Sequence, residues 1–328
     1  MTDKNAKITL AHGNGGKKMQ ELIQNIILPA FDNPILRSLN DAAFFDMPNN
    51  IAMTTDGYTV DPLFFPGGNI GKLAICGTIN DLAVSCAVPK YLSCNFFIEE
   101  GFLIKDFKAI VTAMADEAKK NAVKIVTGDT KVLPKGQVNG MYIATTGIGE
   151  INKPSFSSEE IKSGDKIYVS GTLGDHGAAV LLARQEYGLS GDVLSDCASV
   201  FNLAQKLWRI PGIKFMRDPT RGGVGEVCHD LIRRTGYGVR LYESLIPIQK
   251  TVQTFCEILG FNQYFLASEG RIVVVFDQNY EHLLIELTGQ ITCIGIIESS
   301  HEQLVIETEL GGERILPELD ADPLPRIC

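Results

Sequence analysis

Residues Gly67–Ala87 read GGNIGKLAICGTINDLAVSCA. Ile70, Leu73, Ala74, Gly77 and Ile79 recur mainly at helical spacing, which predicts an apolar helix after a double glycine. The segment before it, Ile51–Val60 (IAMTTDGYTV), is β-branched and reads as a strand meeting a glycine turn. Downstream come Tyr91–Glu99 (YLSCNFFIE, strand), Lys105–Ala122 (KDFKAIVTAMADEAKKNA, amphipathic helix) and Val123–Asp129 (VKIVTGD, strand into a turn). Met141–Ile151 (MYIATTGIGEI) closes this half as a further strand. Alternation of this kind predicts a mixed α/β protein of the α+β type.

The polar run Asn152–Asp165 (NKPSFSSEEIKSGD) carries Pro, Ser and Gly and marks a boundary near residue 150. Lys166–Gln185 (KIYVSGTLGDHGAAVLLARQ) then reads as strand, glycine-rich turn and helix. Helices are expected at about 197–208 and 223–235, and strands at Arg271–Phe276 and Ile291–Ile297. Gly311–Cys328 (GGERILPELDADPLPRIC) has three prolines and at most one short strand. We therefore expect a domain over 1–150, a second α/β domain over 151–311 and a mobile tail over 312–328. The 328 residues suit two domains, and 45% apolar with 21% charged residues is a globular composition.

The net charge of −9 gives no electrostatic footprint for nucleic acid. No apolar stretch approaches membrane-span length, and MTDKNAKITL at the start lacks the features of a secretory signal. The eight cysteines are dispersed without a C-x-x-C pair, which disfavours structural zinc and points to a reducing cytoplasm. Cys76, Cys86 and Cys94 lie in apolar segments and read as core. Cys328, on the proline-containing tail, does not: a thiol there is odd if its task is packing.

Asp41, Asp56, Asp81 and Asp129 sit at the ends of expected elements or, for Asp81, inside the apolar helix. Carboxylates in glycine-rich surroundings suit Mg²⁺, a hard ion that shares oxygen ligands with phosphates. Each also suits a helix cap or a turn. Gly13, Asn14, Gly15 and Gly16, before Lys17 and Lys18, offer backbone amides to a phosphate, without the spacing of a P-loop. His12 in the same stretch is a weaker ligand candidate. Arg217, Asp218, Thr220 and Arg221 precede a glycine pair and read as a turn into a helix or as an anion grip. Asp175 and His176 either begin a helix or serve a ligand. Glu269 in ASEGR is a loop carboxylate, solvated or a general base.

Taken together, GDTKVLP (128–134), DPTRGGV (218–224) and the glycine-rich start resemble the ATP-binding superfamily of aminoimidazole ribonucleotide synthetase, selenophosphate synthetase and thiamine-monophosphate kinase (PurM-like fold). Within it, residues 56–84, YLSCNFFIEEG (91–101), VTGDTKV (126–132) and the terminal PRIC resemble the HypE family of hydrogenase-maturation carbamoyl dehydratases, along essentially the whole chain.

The resemblance implies that a carbamoyltransferase, HypF, loads a carbamoyl group onto the Cys328 sulfur. ATP then drives its dehydration to a thiocyanate, and the HypC–HypD complex accepts the cyanide for the iron of nickel–iron hydrogenase. It implies ATP and Mg²⁺ held by Asp41, Asp56, Asp81 and Asp129, with Asn80, Gly128, Thr130 and the Gly13–Gly16 segment at the nucleotide. Glu269 and Lys131 become the candidates for deprotonating the carbamoyl nitrogen. A homodimer is implied, with paired N-terminal sheets and ATP at the domain and subunit boundary.

The chemistry has a reason independent of the name: an amide oxygen leaves poorly and a phosphate leaves well. The rival within the fold is an ATP-dependent synthetase or kinase for a free small molecule. Selenophosphate synthetase carries a reactive Cys or selenocysteine near its N-terminus, whereas the first cysteine here is Cys76. A rival of another class is a non-catalytic scaffold on a degenerate nucleotide fold.

Overall fold

A computed structural model of the chain describes residues 6–12, 16–38, 46–47, 50–152, 156, 158–186, 188–288, 291–319, 324 and 326–328. Asp41, Gly13, Asn14 and Gly15 lie outside the described residues; Gly16 begins the first helix.

The first half contains α1 (Gly16–Leu22), α2 (Leu28–Phe31), β1 (Ile51–Tyr58), the short pair β2 (Phe64–Phe65) and β3 (Gly68–Asn69), α3 (Ile70–Val84), β4 (Ala87–Glu99), α4 (Ile104–Lys120), β5 (Lys124–Leu133) and β6 (Met141–Ile151). The Asn69 side chain caps α3 by accepting from the backbone amides of Gly71 and Lys72 at 2.9 and 3.1 Å. The helix is buried nearly all round because sheet, α4 and the second half of the molecule enclose it.

Four strands form one sheet in the order β1-β6-β4-β5, antiparallel except for the β4–β5 pair. Strand alternation puts Asp56, Thr145, Cys94 and Gly128 in one row on the helix-covered face. Asn95 and Asp129 pair on the opposite face, with Phe97 and Lys131 next to them. The turn expected at Gly128–Asp129 is absent. β5 runs on to Leu133, because a bulge at Leu92–Ser93 keeps it paired with β4.

The second half contains β7 (Lys166–Val169), α5 (Asp175–Arg184), α6 (Phe201–Leu207), β8 (Ile213–Arg217), α7 (Gly223–Thr235), β9 (Gly238–Tyr242), α8 (Lys250–Leu259), β10 (Val273–Phe276), α9 (Glu281–Thr288), β11 (Thr292–Glu298), β12 (Leu304–Glu307) and β13 (Glu313–Ile315). Its seven strands run β13-β12-β9-β11-β7-β10-β8. The central strands are apolar on both sides, so two cores form. One holds Val169, Val273 and Leu241. The other runs from Tyr168, Val274 and Phe276 through α5 and α6 into the core around α3.

That second core makes the seam between the halves a packed interior. Asn80 on α3 crosses it: its amide nitrogen donates to the Ala198 and Glu269 carbonyls at 3.1 and 3.0 Å, and its oxygen accepts from the Val200 amide at 2.8 Å. The Trp208 indole donates to the Ala83 carbonyl at 2.9 Å. Among the described residues no helix is long and apolar enough to cross a membrane.

Candidate active site

The chain's end lies in the seam. The Thr59 amide, just past β1, donates to the Cys328 main-chain oxygen at 3.0 Å, and the Asp61 amide donates to the Arg326 carbonyl at 3.1 Å. The last residues thus lie along the chain that continues from β1. Arg326 reaches back: its Nε donates to the Thr59 carbonyl at 2.9 Å, one Nη contacts Asp61 at 3.2 Å, and the guanidinium lies 5.5 Å from the centre of the Tyr142 ring. Arg184 on α5 donates to the carbonyls of Asp61 and Arg326, both at 2.8 Å. Leu324 and Ile327 are buried in the main core.

Cys328 is thereby placed in a narrow cleft with Asp56, Gly57, Tyr58, Gly77, Asp81, Asp218, Thr220, Arg221 and Glu269. Its free volume is about 40 Å³. That admits a group of a few atoms at Cys328 and excludes a whole nucleotide. An adjoining groove of about 350 Å³ shares Asp81 and Asp218 with the cleft and adds Arg217 and Arg234. A Cβ on Gly77 would stand 2.4 Å from the Tyr58 hydroxyl, so only glycine lets that ring close the cleft wall.

Four carboxylates in so small a space oppose each other's ionisation. Burial, then the neighbouring Asp81 charge, raises Asp56 to about 6. Burial and Asp81 raise Asp218 to about 7. Glu269, 1% exposed, is pushed well above the usual carboxylate range by burial first and then by Asp218 and Asp196. The loop glutamate that a bland reading leaves in solvent is thus an interior acid. Its Oε1 is buried and makes no hydrogen bond among the described residues. Its backbone is fixed: the amide donates to Asp196 at 3.1 Å, and Gly270 packs so closely that a Cβ would meet the Asp196 oxygen at 2.0 Å. Asp81, a charge in an apolar helix, is half-buried and accepts from the Thr54 hydroxyl at 2.6 Å.

The structure brings Asp56, Asp81, Glu269 and Cys328 together and adds Asp218, which the sequence left as part of a turn or of an anion grip. It does not bring Asp129 or Lys131 to them within one chain. Both sit on β5, paired at 3.5 Å, on the other face of the sheet from Asp56. Three strand spacings, about 14 Å, separate β5 from β1. Gly128, Asp129 and Thr130 line a separate, mostly apolar cavity of about 120 Å³ with Ile23, Phe31, Cys94 and Ile125. Asn80 is fully buried and its amide is engaged at the seam. His12 is buried and its Nδ1 accepts from the Thr9 amide at 3.0 Å.

The cleft fits Mg²⁺ in donor type, with the carboxylates of Asp56, Asp81 and Asp218 lining it together. Among the described residues no three metal-binding side chains already stand together as a ligand set. The fit is therefore to an ion that takes much of its shell from phosphate and water.

The sequence family of AIR synthase related protein, N-terminal domain, matches residues 39–151, and that of the AIR synthase related protein C-terminal domain matches 162–306. Carbamoyl dehydratase HypE of Escherichia coli (strain K12) is 44% identical over 335 residues, covering 98% of this chain and 99% of that protein. The crystal structure of hydrogenase maturation protein HypE in complex with ATP superposes with a TM-score of 0.92 at 39% identity, over 98% of this chain and 99% of that one. HypE from a HypE–HypF complex superposes at 0.79 with 42% identity, over 91% and 99%. The expected two-domain PurM-like fold is the one found. With near-complete coverage on both sides, the chain belongs to the HypE family of carbamoyl dehydratases, built on AIR synthase related domains.

Proposed function

We propose that this chain uses ATP to dehydrate a carbamoyl group carried on its own Cys328 thiol, leaving a protein thiocyanate. The observation that carries the reading is the docking of Cys328 beside Glu269 in a cleft sized for a few atoms. A small-molecule synthetase has no use for a tail thiol in that position.

The thiocarboxamide S–C(=O)–NH₂ accepts the γ-phosphoryl group of ATP on its oxygen, and one proton leaves the nitrogen. The C–O bond then breaks, phosphate departs with the electron pair, and loss of the second N–H proton completes the C≡N bond. The products are ADP, phosphate and S–C≡N. Glu269, whose burial and acidic neighbours raise its proton affinity and whose Oε1 is unengaged among the described residues, is our proton acceptor. Arg221 supplies positive charge at the cleft wall. Asp56 and Asp81, with Asp218 beside them, would hold Mg²⁺, which would neutralise phosphate charge there.

The organisation that goes with this reading is a nucleotide-binding domain over 1–150, a second domain over 151–311 and a carrier segment over 312–328, whose first residues pair as β13. Ile51 and Met53 expose apolar side chains on the uncovered face of the first sheet, Met53 at 69%. That supports a second copy pairing sheet to sheet, with Asp129 and Lys131 facing the subunit seam. HypF as the carbamoyl donor and HypC–HypD as the cyanide acceptor are the partners of the reading. HypF is supported by the relative captured with it.

The test is phosphate release from ATP by the carbamoylated chain. Release should require both the carbamoyl group and Cys328. Equal release from a Cys328→Ala chain would favour a free small-molecule substrate.

A further inference from the structure

His176, the second residue of α5, is fully buried, and its Nε2 lies 2.8 Å from the Ile327 carbonyl. Its Nδ1 lies 2.8 Å from the Ser195 hydroxyl. We propose that His176, oriented by Ser195, is a positioning residue that seats the Cys328 sulfur for dehydration. This rests on the functional reading above.

A carbonyl only accepts, so the His176–Ile327 contact places the imidazole proton on Nε2. Nδ1 must then accept from Ser195, whose oxygen in turn accepts from the Cys197 amide at 3.0 Å. One tautomer satisfies every contact. Burial holds the ring neutral by lowering its pKa to about 4. Phe65 meets it edge-on, centroids 5.2 Å apart, and fixes the ring plane. The clamped carbonyl belongs to the residue bonded directly to Cys328, so a tilt of the ring is passed to the residue that bears the sulfur.

The loop that orients His176 also orients the proton acceptor. Ser195 donates its amide to the Pro66 carbonyl at 2.8 Å, and the next residue, Asp196, receives the Glu269 amide. Carrier and base are thus referenced to adjacent residues of one loop. Undocking the tail leaves the Nε2 proton without its partner in an apolar surround, which favours the docked state.

His176→Leu removes the donor, and His176→Gln places an amide N–H near the same point. Two readouts are compared with wild type: iodoacetamide alkylation of Cys328 without ATP, and single-turnover conversion of pre-carbamoylated Cys328 with ATP. His176→Leu should speed alkylation and slow conversion, each by about tenfold or more. His176→Gln should recover most of both, while carbamoyl uptake from the transferase, which needs the tail outside, stays at the wild-type rate. Should His176→Leu fail to fold, Ser195→Ala carries the same test with smaller changes of the same sign.

Unchanged alkylation in the Leu and Ser195 variants overturns the proposal. So does a Gln variant as impaired as Leu in conversion and in carbamoyl uptake, which marks a role in folding only. Failure of wild type to convert the carbamoyl group refutes the functional reading instead, and leaves the alkylation comparison to judge the clamp.

Discussion

The Thr59 amide and the Cys328 main-chain oxygen are joined at 3.0 Å, which lays the chain's last residue alongside the end of the strand that carries Asp56. The thiol and the carboxylates therefore share one backbone frame, and docking the tail is the same event as completing the site.

Arg326 holds that frame through Thr59, Asp61 and Tyr142. Arg326→Ala should raise the alkylation rate of Cys328 about tenfold or more, from the loss of two charge-assisted hydrogen bonds and a cation–π contact. Peptide mass spectrometry against time measures it. A rate equal to wild type would show that the side chain does not hold the tail.

Glu269→Gln keeps the backbone bonds to Asp196 and Asn80 and removes the base. Dehydration should fall by about 10²–10⁴, with carbamoyl uptake unchanged. Single-turnover phosphate release is the measurement. A loss under about threefold would move the proton acceptor elsewhere.

Stability should depend on pH in a defined direction. Asp56 and Asp218 are raised to about 6 and about 7, from the 3.8 of an unfolded aspartate. Between those values the folded state binds more protons, so the free energy of unfolding falls as pH rises through 4 to 7. In metal-free buffer, Asp218→Asn should gain roughly 1–3 kcal/mol on wild type at pH 8 and little at pH 4. Urea melts at the two pH values check this. An equal difference at both would contradict the assigned cause.

Asn80→Ala should destabilise the chain by about 2–4 kcal/mol, because three buried backbone groups across the seam lose their partner. Denaturant unfolding with an unchanged slope would report it. A change under about 0.5 kcal/mol would show that the seam is held by packing alone.

These residues also mark how far the sequence could be read. The apolar spacing of residues 70–79 located α3, and the β-branched run at 51–58 located β1, because periodicity is a local property. The aspartates were legible as a type. Their grouping was not, since alternation on β1 and β5 sends Asp56 and Asp129 to opposite faces of one sheet. Glu269 and His176 gained their character from burial by segments far away in sequence, the tail among them. A polar residue in or beside a small-residue loop next to a strand was the local signal. Asn80 illustrates the reverse: its place in the motif pointed to the nucleotide, and its contacts hold the seam.

The central claim is that the group on Cys328 is transformed where that residue docks. The most direct measurement is the intact mass of a purified, fully carbamoylated chain after addition of ATP and Mg²⁺ alone. The account predicts loss of the mass of one water, mapped to the peptide ending in Cys328, with one phosphate released per chain. Retention of the full carbamoyl mass while ATP is consumed would contradict it.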